Sequence, residues 1–160
     1  MIIINKIYVY TKEKLLEFPK CKIKTQVYIG RNGATKNKIE GDGKTPIGEF
    51  ELGSILSMQN DITENMYWVD DVKSKYYNQL VDITKVEKDW NSAEHLVEYP
   101  IQYEYLLEIK TNPENAPGKG SAIFLHCENG CPTAGCIAVD RKYMKKIVEN
   151  IDDKTKIVIM

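Results

Sequence analysis

Short segments with the two-residue periodicity of β-strands recur along this chain, and they restrict its fold more than any other feature. From Cys21 to Ile29 every second residue faces one side and is mostly apolar, as in a half-buried strand. Helical spacing occurs once, in the segment that Asp140 is predicted to cap, with Met144, Ile147, Val148 and Ile151 on one face. Further strands are predicted at 2–10, 50–56, 103–110, 121–125 and 157–159. The sequence therefore predicts a β-rich α+β domain with one main helix near the C-terminus.

The length of 160 residues is that of one domain, so we predict a single domain over 1–160. Two regions give weaker patterns. Residues 12–18 suit a short helix or a long turn, and 58–100 suit loops with short helices. The net charge of −1 argues against nucleic-acid binding, and no apolar run approaches the roughly 20 residues of a membrane span.

The N-terminal segment predicts a first strand better than a signal peptide, because no basic residue precedes its apolar run. We therefore expect a protein that acts where it is made, or one whose leader has been removed, and the sequence leaves both open. The four cysteines lack the spacing of a small disulfide-stapled module, so they leave the redox compartment open too. The oligomeric state is also left open.

Three of the four cysteines and one of the two histidines fall within residues 126–136. A predicted apolar strand ends at His126, and a loop containing Gly and Pro leads from there to Gly135 and Cys136. A cysteine nucleophile needs a base and donors for an oxyanion, and a preceding glycine leaves room for a substrate carbonyl. One interpretation is therefore a Cys136 nucleophile with His126 as its base.

Two alternatives use the same segment. His126, Cys127, Cys131 and Cys136 are the ligand types of a Cys₃His zinc site, although one short run would have to wrap the ion alone. Alternatively, they are core cysteines and a hydrogen-bonded histidine, with Cys127 and Cys131 as loop residues or a local disulfide. Cys21 is predicted to be a core residue. A zinc site would make the chain a non-catalytic zinc-binding module.

Two motifs in this order resemble a known family. Residues 41–50 read GDGKTPIGEF, and residues 123–126 and 132–138 read IFLH and PTAGCIA. Together they resemble the L,D-transpeptidase catalytic domain, the YkuD-like family, over about residues 25 to 145. The resemblance implies a small β-sandwich or barrel with the Cys and His on a central strand and loop element.

The resemblance also implies a reaction. Cys136 attacks a peptidoglycan stem peptide, D-alanine leaves, and a thioacyl enzyme remains. An amine of a second stem then forms a 3-3 cross-link, or water attacks and the protein is an L,D-carboxypeptidase. His126 moves the protons, amides around Gly135 and Cys136 hold the oxyanion, and no metal or organic cofactor is required. Such a substrate places the protein in the cell wall.

The sequence departs from the commoner family pattern at two positions. Ala134 stands where many members have a histidine, so the base is His126 or in principle His95. Ala138 stands where many have an arginine, which leaves Arg31 and Arg141, a lysine or backbone amides for a substrate carboxylate.

Five further residues are predicted to line the substrate cleft, four of them in the loop at 66–96. For each the alternative is loop packing or capping, and the Ser92 hydroxyl in particular suits a helix cap. The five residues are Tyr77, Asn78, Ser92, Glu94 and Thr133.

Overall fold

A closed barrel of eight strands forms the body of the protein in the computed structural model, which describes residues 2–160. Within those residues the structure has one α-helix, α1, at Arg141–Asn150. The strands are β1 (Lys6–Tyr10), β2 (Leu15–Phe18), β3 (Ile23–Tyr28), β4 (Ala34–Thr35), β5 (Thr45–Pro46), β6 (Gly48–Ser57), β7 (Met66–Val69), β8 (Leu80–Asp82), β9 (Ala93–His95), β10 (Tyr105–Ile109), β11 (Phe124–Cys127), β12 (Ile137–Val139) and β13 (Lys156–Ile159). The predicted β-rich α+β class with one helix near the C-terminus is confirmed.

The barrel strands follow the order β1-β13-β6-β10-β11-β12-β3-β2, and β2 pairs with β1 to close the ring. Two neighbouring pairs are parallel, β1 with β13 and β11 with β12. Closure pairs both edges of every barrel strand, which removes the exposed edges that would recruit other chains. Among residues 2–160 no helix has the length and apolar character needed to cross a membrane.

Side-chain alternation on the barrel strands separates two cores. On β11, Leu125 and Cys127 point into the barrel, where they pack with Leu107 of β10. Phe124 faces the other way and packs with Leu106 in a second core outside the barrel. Successive strand residues point to opposite faces, so His126 lies on the outer face with Phe124.

The helix α1 covers part of the barrel with its apolar face. Met144 and Ile147 are fully buried there. The Asp140 carboxylate accepts a hydrogen bond from the Lys142 backbone N–H at 2.9 Å. This confirms the predicted N-cap and satisfies one of the free donors at the start of the helix.

The expectation of loops with short helices at 58–100 is wrong in part, because this region contains a three-stranded antiparallel sheet in the order β8-β7-β9. Its strands have three or four residues each, too short for a periodic signal. Trp68 of this sheet packs edge-on against Phe124 of the barrel, with ring centroids 4.8 Å apart. The sheet therefore forms a cover over the outer face of β11.

Two local predictions also need correction. Residues 12–18 contain no helix: the predicted turn is present as far as Lys14, and β2 follows in place of its remainder, with Glu17 paired to Tyr8 of β1. Lys14 closes that turn with a left-handed φ of 52°, which a helix excludes. Ser92 caps no helix, since it precedes β9 and its hydroxyl donates to Asp70 at 2.5 Å.

Candidate active site

Strands β11 and β12 bring Cys136 and His126 to one cavity of about 330 Å³. In the parallel register His126 lies opposite Ala138, and Cys136 comes one residue before β12. Ile137 and Val139 fill the barrel, while Cys136 packs in the second core, so alternation puts Cys136 and His126 on the same face.

The His126 ring is held in one tautomer. Its Nδ1 lies 2.8 Å from the Cys127 carbonyl oxygen, which can only accept, so Nδ1 carries the hydrogen and Nε2 keeps a lone pair. Burial lowers the pKa of His126, which keeps the imidazole neutral near pH 7. The Tyr103 ring packs edge-on against it, with centroids 5.6 Å apart. The Nε2 atom of the neutral imidazole can therefore accept a proton.

The Cys136 thiol is half-buried and protonated in this structure. Burial, with the nearby Glu94 carboxylate as a second cause, raises its pKa to about 12. The Sγ–H donates to the Ala122 carbonyl at 3.1 Å, and Sγ accepts from the Phe124 N–H at 3.3 Å. A thiol in this setting needs a base to become a nucleophile.

The two sequence motifs meet at Thr45, which is fully buried. Its hydroxyl donates to the Gly135 carbonyl at 2.9 Å and accepts from the Gly30 N–H at 2.9 Å. The Thr133 hydroxyl accepts from the Gly135 N–H at 3.0 Å and donates to the Cys136 carbonyl at 2.6 Å. These bonds fix the turn that carries the thiol to the barrel.

Position 135 accepts only glycine. Its φ is +152°, and a Cβ built there would lie 3.0 Å from the Lys44 carbonyl oxygen and 3.1 Å from Ile123 Cδ1. A side chain would displace the turn before Cys136.

Charged side chains of both signs line the cavity. The cations are Arg31 and Lys38, and the carboxylates are Glu40, Asp70 and Glu94. Arg141, the other arginine of the chain, instead pairs with Glu104 on the surface. Of the two arginines considered for a substrate carboxylate, the structure thus places only Arg31 at the cavity.

Glu94 is the most perturbed carboxyl of the site. Burial raises its pKa to about 7, although a hydrogen bond from the Tyr103 hydroxyl opposes the shift. Tyr103 thus connects the carboxyl of β9 to the ring of His126 on β11.

Of the predicted site residues, Glu94, Thr133, Gly135, Cys136 and His126 line the same cavity. Tyr77, Asn78 and Ser92 do not. The buried Tyr77 hydroxyl donates to Glu40 at 2.6 Å, and the Ser92 hydroxyl binds Asp70. Tyr77 and Ser92 therefore lie outside the cavity wall, and each bonds to a residue that lines it, Glu40 and Asp70 respectively.

Asn78 supports the site from a second cleft, which it helps to line. Its Oδ1 accepts from Trp68 Nε1 at 3.1 Å and from the Ala122 N–H at 3.0 Å. Because the Ala122 carbonyl accepts from the Cys136 thiol, Asn78 holds the backbone behind the thiol. Its loop position with a φ of 59° suits asparagine.

The sequence reasoning missed several residues of the wall or its support, of which five supply its charges or its anchoring contacts. Lys38 and Glu40 directly precede the GDGKTP segment, but polar residues in a loop carry no signal that separates them from solvated ones. The five are Lys38, Glu40, Thr45, Asp70 and Tyr103.

The ligands of the zinc alternative do not converge. Cys127 is 1% exposed in the barrel core, and Cys131 is exposed with its Sγ 3.0 Å from Asn129 Oδ1. Within the described chain, residues 2–160, no three His, Cys, Asp or Glu side chains form a group that could hold a metal ion. All four cysteines are free thiols, and Cys21 packs half-buried against the core.

His95 lies away from the cavity wall. Its ring stacks on Tyr67 with centroids 4.3 Å apart, and its Nε2 lies 2.6 Å from the Glu64 carbonyl oxygen. Both ring nitrogens have partners, because Nδ1 contacts Glu98. The structure therefore leaves His126 as the histidine that shares a cavity with the Cys136 thiol.

A barrel that presents a thiol and a neutral imidazole in one cavity defines a cysteine–histidine site. The family model of the YkuD L,D-transpeptidase catalytic domain matches residues 3–159. The chain belongs to this family, as the two motifs predicted. No curated protein sequence matches the chain.

Solved structures share the fold. The helical cell shape determining protein Pgp2 from Campylobacter jejuni is 17% identical, with a TM-score of 0.55 over 96% of this chain and 46% of that one. An L,D-transpeptidase from Mycobacterium tuberculosis H37Rv is 9% identical, with a TM-score of 0.52 over 97% of this chain and 57% of that one. An Enterococcus faecium L,D-transpeptidase mutant is 12% identical, with a TM-score of 0.51 over 99% of this chain and 50% of that one. The chain thus spans about half the length of these proteins.

Proposed function

We propose that this protein is a cysteine acyltransferase that acts on peptidoglycan stem peptides, with Cys136 as the nucleophile and His126 as the base. The observation that carries the proposal is the placement of a thiol and a neutral imidazole, with a free Nε2 lone pair, in one cavity. Membership of the L,D-transpeptidase family supplies the substrate class.

In the acylation step, Cys136 Sγ attacks the carbonyl carbon between the third residue of the stem and D-alanine. The thiol proton passes to His126 Nε2 as the S–C bond forms. The backbone N–H of Cys136 is the proposed donor to the oxyanion, because the Gly135 N–H already donates to the Thr133 hydroxyl. The C–N bond then breaks, and the D-alanine amine takes the proton from His126, which leaves a thioester on Cys136.

In the second step, an amine of another stem attacks the thioester. His126 accepts a proton from that amine, the new C–N bond forms, and the Cys136 thiolate leaves and is reprotonated. Glu40, Asp70 and Glu94 line the cavity, and their negative charge favours the approach of the amine in its cationic form, which releases one proton to solvent and then attacks as the neutral amine. Water in place of the amine gives hydrolysis, the activity of an L,D-carboxypeptidase.

We propose that this reaction takes place in the cell wall, outside the cytoplasm. The proposal follows from the substrate, because peptidoglycan stems are exposed to enzymes there.

The test is acylation of the purified protein by a tetrapeptide stem. Intact-mass spectrometry should detect a covalent adduct on Cys136, with release of D-alanine. Cys136→Ala removes the only atom that forms the thioester, so we expect turnover to fall by about a thousandfold or more.

Cys21→Ala is the matched control, since it removes a thiol that packs away from the cavity, and it should still form the adduct. Turnover of the tetrapeptide by Cys136→Ala at the wild-type rate would show that the nucleophile is wrong. Product analysis with an added amine acceptor separates the two outcomes of the thioester: a dimer indicates transfer, and tripeptide alone indicates hydrolysis.

A further inference from the structure

The surroundings of Cys136 are unfavourable to a negative charge on its sulfur. The thiol is half-buried, and the Glu94 carboxylate raises the free energy of the thiolate. Proton transfer from Cys136 to His126 creates that thiolate inside the cavity. A cation close to the turn would offset part of this cost.

Lys38 places an ammonium group beside this turn. Its side chain is only 9% exposed, and its Nζ donates to the Lys44 carbonyl at 2.7 Å and to the Asp42 carboxylate. Asp42 pairs with this ammonium. Burial alone would raise the pKa of Asp42, but its hydrogen bonds with Lys38, Ile39 and Lys44 outweigh burial and lower it.

The position of the ammonium is closely defined. A Cβ atom built on Gly135 would lie 3.2 Å from Lys38 Nζ, so the charge lies against the residue that precedes the nucleophile. The Lys38 stem packs against Gly120, where an added Cβ would come within 2.8 Å of Lys38 Cγ. An ammonium has three N–H donors, and within residues 2–160 Nζ has two acceptors. The third donor is available at a cavity that Lys38 lines.

We propose that the Lys38 ammonium stabilises the negative charge that forms on Cys136 Sγ during acyl transfer. The proposal rests on the proposed function in one respect, namely that Cys136 is the nucleophile. Lys38 exchanges no proton in this role and acts on Cys136 through its charge alone. The Asp42 carboxylate and the Lys44 carbonyl position that charge.

Other ionisable groups also face the thiol or its cavity, and each affects the same titration. Glu94 opposes the thiolate, His126 accepts the proton, and Lys38 favours the thiolate. Arg31, the second cation of the wall, is exposed, and its charge is therefore better screened. The remaining groups are Glu40, Asp70, Tyr99, Tyr103 and Cys131.

The experiment measures the rate of Cys136 alkylation by iodoacetamide between pH 6 and pH 10, with peptide mapping to resolve each cysteine. Only the thiolate reacts, so the rate reports thiolate formation without any stem peptide. We expect Lys38→Met to slow alkylation of Cys136 by about tenfold at each pH below its titration, which corresponds to a rise of about one unit in the thiol pKa. Lys38→Arg keeps the charge and should stay within about threefold of wild type.

Three controls make the result decisive. Cys21 packs half-buried against the barrel core, away from the cavity, so its alkylation serves as an internal standard and should not change. Lys36→Met removes an exposed lysine two residues away and should behave as wild type. Lys38→Gln loses the charge but keeps an N–H donor for the Lys44 carbonyl, so it replaces Lys38→Met if that variant does not fold.

An unchanged Cys136 profile in a folded, uncharged variant would overturn the proposal. Equal slowing of Cys136 and Cys21 would overturn it as well, because it would indicate a change in the whole fold and not the loss of a charge beside Cys136. The assay needs no peptide substrate, so a failure of the acyltransferase proposal would leave this result intact, and the reverse also holds.

Discussion

At the scale of single residues, the site depends on groups whose protonation states are set by burial. Cys136 is a thiol with a pKa raised to about 12, and burial lowers the pKa of His126. The pair therefore starts neutral, and in the proposed reaction charge develops when the proton moves from sulfur to imidazole. This differs from a preformed ion pair, in which the thiolate exists before substrate binds.

The raised pKa of Glu94 makes the free energy of unfolding depend on pH. Its pKa in the folded protein is about 7, above the usual value of 4.5, so the folded state holds a proton that the unfolded state releases. The stability from this group is complete below about pH 4.5 and is lost as the pH rises through 7. At about 1.4 kcal/mol per pKa unit, the loss is about 3 kcal/mol.

We predict that Glu94→Gln removes this loss. The amide oxygen can still accept from the Tyr103 hydroxyl, but the side chain no longer ionises. Urea denaturation at pH 4 to 8.5 should show the variant gaining about 3 kcal/mol relative to wild type across the range. Glu87→Gln, at an exposed carboxyl, is the control and should differ from wild type by a constant amount. A constant difference for Glu94→Gln would mean that Glu94 has an ordinary pKa.

At the scale of elements, the turn between β11 and β12 is attached to the segment between β3 and β6. The attachment is the buried Thr45 hydroxyl, which joins the Gly30 N–H to the Gly135 carbonyl, 90 residues from Thr45 in the chain. Because both of its partners are buried backbone groups, removing the hydroxyl leaves one donor and one acceptor unpaired.

We therefore predict that Thr45→Val lowers the free energy of unfolding by about 2 kcal/mol, within the usual range for unpaired buried groups. The turn would also lose its anchor, so acylation of Cys136 should slow by more than the stability loss accounts for. Urea denaturation and the intact-mass acylation assay measure the two effects.

Thr25→Val is the matched control, because the Thr25 hydroxyl makes only an exposed bond within β3. It should change stability by less than about 0.5 kcal/mol. If both variants had the same stability, Thr45 would not join the two motifs.

At the scale of the whole molecule, the barrel is closed by elements from the two ends of the chain. Strand β13 pairs with β1 on one side and with β6 on the other. Ile157 on β13 is fully buried in the barrel core with Ile7 and Leu16. The barrel that contains β11 and β12 is therefore a closed ring, in which each strand is hydrogen-bonded to a strand on either side.

We predict that Ile157→Ala destabilises the protein by about 2 to 4 kcal/mol, through lost apolar burial and the cavity left behind. Ile4→Ala makes the same chemical change at a residue that is 68% exposed, and it should cost less than about 0.5 kcal/mol. Urea unfolding curves of both variants test this. Similar curves would mean that β13 does not close the barrel.

The sequence alone determined the features that depend on short-range pattern and on side-chain chemistry. Two-residue alternation located β3, and the spacing after Asp140 located α1 with its cap. The chemistry of a thiol after a glycine and of a histidine at a strand end, together with the two family motifs, made Cys136 and His126 the candidate pair. These features are local, so a few consecutive residues contain them.

Only the tertiary structure decided what surrounds that pair. The β7-β8-β9 sheet escaped prediction because its pairings join residues far apart and its strands are too short for a period. For the same reason Tyr77, Asn78 and Ser92 could not be separated from wall residues. Lys38 lies at the site because the loop before GDGKTP packs against Gly135, which no local pattern indicates. The polarity of a residue is encoded locally, but which polar residues become buried beside one thiol depends on long-range packing.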